Sequence, residues 1–203
     1  MIPSSRPFPP AGGSQLSGET LGEMSTTHSE TLLTEETSQG LRASSAEGAA
    51  LIGVGVDAAP DAIVDAIDSF VFAWQGGDRP PKRSFDPEDV PFSLGSLWGE
   101  QLVRSFGWEW RMITFHSHGD TNAPGVLSPD RALAVYPIHF LIGCLRDPDV
   151  DATIMLSYNM LKANKIGEVP AGEYMNLMDG VHRIVPRTHE KPKKSWRNLF
   201  RGR

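Results

Sequence analysis

Apolar side chains recur at the spacing of an α-helix in several stretches of this chain, and each stripe predicts a helix. The first predicted helix covers residues 58–74. The second covers 94–106, where Gly107 follows as a C-terminal cap. A third begins at Pro137, because proline suits the first turn of a helix, and it ends before Pro148.

Two further helices are predicted nearer the C-terminus. A fourth helix follows Asp149, which is placed to cap it, and a short fifth helix covers residues 171–178. Residues 181–185 fit either a last strand or more helix.

Between the second and third helices the pattern changes to a period of two, which is typical of a strand. Trp108, Trp110 and Met112 alternate there with charged residues, and beyond Met112 both faces turn apolar. The sequence Ser128-Pro129-Asp130-Arg131 is a type I turn signal that leads into a strand over 132–136. These features predict an antiparallel meander of about three strands.

The order of the elements predicts an α+β fold. We expect about four to five helices packed on one face of a small antiparallel sheet of about three to four strands. Residues 1–47 are rich in Ser, Thr, Gly, Pro and Glu, so we expect a disordered tail there. A single folded domain is then expected over 50–187, followed by a basic C-terminal tail over 188–203.

Charge and composition narrow the classes of function. The chain has a net charge of −6, and because its ends contribute −4 (1–50) and +5 (188–203), residues 51–187 carry −7. No nucleic acid is expected at this acidic core, since phosphate binding needs clustered Lys and Arg. The sequence has neither the ~18 apolar residues of a membrane span nor the apolar region of a secretory signal. We therefore predict a cytoplasmic protein.

Two segments carry a resemblance to a known group. One is Leu94-Gly-Ser-Leu-Trp-Gly-Glu-Gln-Leu-Val-Arg-Ser-Phe-Gly-Trp-Glu-Trp110, a helix that ends in Gly-Trp-x-Trp. The other is Ser128-Pro-Asp-Arg-Ala-Leu-Ala-Val-Tyr-Pro-Ile-His-Phe140, a turn followed by a strand that ends in Tyr-Pro. Together they resemble a family of uncharacterised bacterial domains of unknown function. The resemblance implies a bacterial origin and an α+β fold, and because the family has no assigned activity it implies no site.

The segment His116-Ser117-His118-Gly119-Asp120 is a candidate metal site. On an extended backbone His116 and His118 lie on the same side, so both imidazoles would bind one metal with Asp120 nearby. A zinc or iron site needs a further protein ligand, which would be His139, His182 or Glu109. The alternative is a polar loop after a strand.

Other catalytic and cofactor motifs are missing from the sequence. Cys144, the single cysteine, lies in an apolar run and is expected to be a buried small hydrophobic residue. The glycines Gly53 and Gly55 complete neither a dinucleotide-binding nor a phosphate-binding loop. No cofactor is predicted.

Aromatic residues offer two candidate interaction surfaces. Trp108 and Trp110 either anchor the core or, if they lie outward, provide a hot spot for a protein partner. The C-terminal tail places Trp196, Leu199 and Phe200 on one side of a predicted helix. Its candidate residues for contact with an anionic membrane or an acidic protein surface, including the acidic core of this chain, are Lys193, Lys194, Trp196, Arg197, Phe200 and Arg201. The alternative is a solvated tail.

These observations support three hypotheses of function. The first is a non-catalytic protein-binding or regulatory module, such as an immunity or accessory protein, whose partner is another protein. The second is a metal-dependent enzyme built on His116 and His118. The third is a peripheral membrane adaptor that uses the C-terminal tail.

Overall fold

The computed structural model describes residues 28–78 and 85–184, which form six α-helices and five strands. None of the helices in these ranges combines the length and the apolar character needed to cross a bilayer. The helices are α1 (Glu35–Leu51), α2 (Pro60–Gln75), α3 (Val90–Phe106), α4 (Pro137–Arg146), α5 (Ile154–Lys162) and α6 (Leu177–Ile184). The strands are β1 (His28–Thr31), β2 (Glu109–Phe115), β3 (Thr121–Leu127), β4 (Leu133–Val135) and β5 (Met175–Asn176).

The fold is α+β, as predicted, but the described residues form six helices instead of four to five, and the sheet has five strands instead of three to four and is mixed. The strands lie in the order β1-β2-β3-β4-β5, and the first four are antiparallel while β5 is parallel to β4. The predicted meander is the central part of this sheet, β2 to β4. Its predicted turn is closed by the Arg131 amide, which donates to the Ser128 carbonyl at 2.9 Å.

The predicted disordered tail is wrong for residues 28–47. Strand β1 pairs with β2, and helix α1 packs on α3. Apart from Leu41, the buried positions of α1 are small: Ser45, Gly48 and Ala49. Small side chains add little apolar area, which is why the composition favours disorder. Residues 1–27 and the predicted tail 188–203 lie outside the described residues.

Several element boundaries differ from the predicted ones. Helix α3 begins at Val90, one turn earlier than predicted, and Gly107 ends it with φ 67° as expected. Helix α5 begins at Ile154 instead of just after Asp149. The predicted helix over 171–178 is wrong, because this segment contains turns, β5 and only the start of α6.

Helix α3 lies at the centre of the domain. Every residue from Ser93 to Gly99 is buried, and Trp98 is completely enclosed. Helix α1 crosses α3 at Gly48, where an added Cβ would lie 2.5 Å from the Ser93 carbonyl oxygen. Only glycine therefore allows the two helix backbones to approach this closely.

Two glycines of α3 create similar contacts on its other sides. A Cβ at Gly95 would lie 2.6 Å from the Cα atom of Ile138 in α4. A Cβ at Gly99 would overlap the indole ring of Trp110 in β2. The backbone of α3 thus provides flat surfaces against which α4 and the sheet pack.

The sheet buries side chains on both of its faces. Trp110, Val126 and Val135 belong to the main core on the α3 side. On the opposite face Ile113, Leu127 and Ala134 are completely buried in a second, smaller cluster. The partly buried aromatic side chains around this second cluster are Phe115, Tyr136 and Tyr174.

We expect Gly95→Ala to lower the free energy of unfolding by about 1–3 kcal/mol, because that is the usual cost of overpacking a close contact. The clash is with backbone atoms of Ile138, so α4 as a whole would have to move. Urea denaturation followed by far-UV circular dichroism measures the change.

Gly40→Ala is the matched control, since Gly40 is an exposed residue of α1 with no atom within 4 Å of an added Cβ. Alanine is favoured over glycine in a helix interior by up to about 1 kcal/mol, so this variant should be stabilised. Equal stabilisation by Gly95→Ala would contradict the close approach of α3 and α4.

Candidate functional site

A cavity of about 690 Å³ opens at the end of the sheet where β2 and β3 are connected by the 3₁₀ turn His116–His118. We call it the sheet-end cavity. Its walls come from β1, the β2–β3 connection, α4 with the loop after it, and the stretch from Tyr174 through β5 into the first turn of α6. Parts of the chain that are distant in sequence therefore meet at one site.

The interior of the sheet-end cavity is mainly aromatic and apolar. Phe115, Tyr136 and Phe140 supply ring surfaces, and Val150 and Met178 add aliphatic ones. The rings of Phe115 and Tyr136 lie 5.4 Å apart, centroid to centroid, at an angle of 56°. Such walls suit the burial of a planar or apolar group.

Glycines leave the space that these walls need. The ring of Tyr136 covers Gly125 of β3, where an added Cβ would lie 3.0 Å from the ring. Gly143 of α4 lines the cavity, and no atom lies within 4 Å of a Cβ built there. The position of Tyr136 and the open space beside α4 therefore depend on two residues without side chains.

Imidazole and amide groups contribute polar lining. His28, His118, His139 and Asn176 all line the cavity. The ring of His28 lies edge-on to Tyr174, with centroids 4.2 Å apart. These groups can donate or accept hydrogen bonds and so would orient a bound group.

The two phenols of the cavity are held in their neutral form. Burial raises the pKa of Tyr136 to about 12, with a smaller contribution from the neighbouring Tyr174. The pKa of Tyr174 is also raised, first by burial and then by the carboxylate of Glu30. A neutral phenol forms hydrogen bonds but is a poor general base.

Arg131 fixes the segment that carries Tyr174. Its guanidinium donates to Glu30 at 3.2 Å and to Glu109 at 2.9 Å, while its carbonyl accepts the Tyr174 amide at 2.8 Å. Arg131 and Tyr174 both have positive φ angles, 58° and 51°, which are uncommon for residues other than glycine. The ion pairs thus hold a strained turn that positions one wall of the cavity.

Among the described residues, one acidic side chain lines the cavity. It belongs to Asp179, which is exposed. Asp149, which is exposed, and Asp151, which is half-buried, are the sequence neighbours of the lining residue Val150 and do not line the cavity themselves. The carboxylate of Asp179 favours a cationic group beside it.

The predicted metal-site geometry is wrong. His116 and His118 lie in a 3₁₀ turn, so the alternation of an extended strand does not place them on the same side. His116 Nδ1 lies 2.6 Å from Asp120 Oδ1, whereas the ring of His118 packs edge-on to Phe115. In ranges 28–78 and 85–184, no three His, Cys, Asp or Glu side chains form a group that could hold a metal ion.

The further ligands proposed for that site lie elsewhere. His139 lines the sheet-end cavity, and Glu109 is paired with Arg131 and Arg111. The side chain of His182 is not among those the structure describes.

Neither Trp108 nor Trp110 provides an exposed hot spot. Trp108 is only 5% exposed and belongs to the main core. Trp110 is half-buried against Gly99, and its indole nitrogen donates to Glu100 at 3.1 Å. Both residues therefore anchor the core, which is the other alternative that the sequence left open.

Cys144 is completely buried, as predicted. Burial raises the pKa of its thiol to about 12, and the carboxylate of Asp68 adds to the shift. The candidate tail residues Lys193, Lys194, Trp196, Arg197, Phe200 and Arg201 lie outside the described residues.

Comparison with known proteins gives no family for this chain. No protein-family model, no curated protein and no solved structure matches it. The resemblance of residues 94–110 and 128–140 to bacterial domains of unknown function therefore stays a prediction.

Sequence patterns did not identify the sheet-end cavity as a site. One signal for it is present, because Ile113 and Phe115 add apolar side chains to the face of β2 opposite Trp110 and Met112. A strand with two apolar faces needs cover on both sides, which indicates a second cluster beyond the main core. No sequence pattern indicated that the cavity lining includes Tyr174, Asn176 and Met178, because residues 171–178 were predicted to be a helix.

We expect the Cys144 thiol to react with Ellman's reagent at least about 100-fold more slowly in the native protein than in urea at pH 8, because a buried thiol with a raised pKa supplies little thiolate. The release of thionitrobenzoate measures the rate. A fast native reaction would show an exposed, activated thiol and would contradict the buried position.

Proposed function

We propose that this protein is a non-catalytic binding module that takes a side chain of a partner protein into the sheet-end cavity. The observation that carries the proposal is the cavity itself, which combines an aromatic interior with an exposed carboxylate, that of Asp179. The group it suits best is an aromatic side chain with Lys or Arg next to it.

Size and shape support an aromatic group. Pockets that enclose small molecules or side chains usually measure about 300–1,000 Å³, and the sheet-end cavity of 690 Å³ falls in this range. The rings of Phe115, Tyr136 and Phe140 offer faces and edges for offset or edge-on contacts. Each such ring pair adds about 0.5–1.5 kcal/mol beyond the apolar area that it buries.

Charge supports basic neighbours of that aromatic group. The exposed carboxylate of Asp179 lines the cavity, and Asp149 and Asp151 precede and follow the lining residue Val150 in the sequence. Complementary charges at the edge of an interface mainly raise the association rate and select the partner. A partner segment with an aromatic residue between Lys or Arg residues would match both parts of the site.

The chemistry of the lining supports binding more than catalysis. The pKa values of Tyr136 and Tyr174 are shifted away from neutrality, whereas catalytic groups are usually tuned towards it. The metal-dependent enzyme hypothesis has less support. His116 is paired with Asp120, and the 3₁₀ turn does not place His116 and His118 on the same side as ligands of one metal ion.

Gly143→Trp tests the proposal, because the new indole would occupy the open space beside α4. The probe is a fluorescein-labelled peptide, Lys-Lys-Trp-Lys-Lys, and fluorescence anisotropy measures its binding to the full chain. We expect this variant to bind the peptide at least about tenfold more weakly than wild type, which corresponds to about 1.4 kcal/mol.

Gly40→Trp is the matched control, since it adds the same side chain to an exposed, open position of α1. Its affinity for the peptide should equal that of the wild type. Equal binding by the Gly143→Trp and Gly40→Trp chains would show that the cavity is not the binding site.

A further inference from the structure

The helix that lines the sheet-end cavity also leads to the basic C-terminal segment. Met178 and Asp179, in the first turn of α6, line the cavity, and α6 ends at Ile184. The chain continues for residues 185–203, which include Trp196 and Phe200. The segment with the chemistry that the cavity suits is thus part of the same molecule.

We propose that residues 191–203 are the intramolecular occupant of the sheet-end cavity, with Trp196 or Phe200 inserted between its aromatic walls. The module is then autoinhibited, because a partner has to displace this segment before it binds. The inference rests on the proposed function, since it assigns an occupant to the same site.

The length of the chain permits this contact. Helix α6 has eight residues, so Ile184 lies only about 10 Å along the helix from the residues that line the cavity. Eleven residues lie between Ile184 and Trp196, and the extended chain from one to the other spans up to about 40 Å. The segment can therefore turn back to the opening without any movement of α6.

Charge complementarity favours this occupant. The segment carries basic side chains on both sides of its aromatic residues: Lys191, Lys193, Lys194, Arg197, Arg201 and Arg203. Beside the cavity they would meet the exposed carboxylate of Asp179. Residues 51–187 have a net charge of −7, which attracts the basic segment without specifying a position. The cavity would provide the specific binding position.

Covalent connection makes even weak contacts effective. A covalently attached segment that is able to reach its site has an effective local concentration in the millimolar range. A cavity that binds the free peptide with a Kd near 100 μM would then be about nine-tenths occupied by the segment at 1 mM effective concentration. The apparent affinity for a partner would fall by about tenfold for the same reason.

Hydrogen exchange on the full chain tests occupancy directly. We expect the double variant Trp196→Ala, Phe200→Ala to exchange faster than wild type in peptides that cover 136–143 and 174–179. Asn198→Ala is the matched control, because it changes the same segment without removing an aromatic ring, and its exchange should equal that of the wild type. Equal exchange in all three chains would overturn the proposed docking.

Peptide binding separates failure of this inference from failure of the proposed function. The labelled Lys-Lys-Trp-Lys-Lys probe should bind the double variant at least about tenfold more tightly than wild type. A different result would be equal, saturable binding of the probe to wild type and the double variant, with weaker binding to the Gly143→Trp chain. This result would support the proposed function and overturn the autoinhibition. No saturable binding to either chain would overturn both.

An anionic membrane is the competing binding partner of residues 191–203. Vesicles of phosphatidylcholine and phosphatidylserine should not co-sediment the wild-type chain if the segment is held in the cavity. Co-sedimentation that requires Trp196 and Phe200, together with unchanged exchange at the cavity, would assign the segment to the membrane and overturn the proposal.

Discussion

The close approach of backbones along α3 is the constraint on which the rest of the domain depends. Gly48 brings α1 onto Ser93, Gly95 brings α4 onto α3, and Gly99 receives the ring of Trp110. Such contacts give dense packing with little side-chain area, because backbone atoms meet directly. They fix the distances between α1, α4 and the sheet, and so they also fix the geometry of every site built from these elements.

The sheet that packs on α3 is buried on both of its faces. One face lies on α3, and the other is covered by aromatic side chains that come from three separate segments. Because this cover is incomplete at the end of the sheet, the sheet-end cavity opens there. Its walls are held by a turn around Arg131, whose ion pairs stabilise backbone angles that are otherwise uncommon. The proposed binding function therefore depends on residues that never touch a ligand.

Much of the fold follows from local patterns, and the errors have a common origin. The apolar stripes located helices α2, α3 and α4, and the turn at 128–131 located the β3–β4 connection. Helix α1 was missed because its buried positions are mostly small, and small residues contribute little to an apolar stripe. The predicted metal-site geometry was wrong because it assumed an extended backbone, whereas His116 and His118 lie in a 3₁₀ turn.

Four properties could be read from the amino-acid sequence alone: the class of fold, the central meander, the buried position of Cys144 and the uneven distribution of charge. These properties depend on neighbouring residues and on composition, which act over a few turns of chain. Sequence patterns could not show that one cavity is shared by Phe115, Tyr136, Phe140, Tyr174 and Met178. That arrangement depends on strand register and on contacts between distant segments, and no local pattern encodes either.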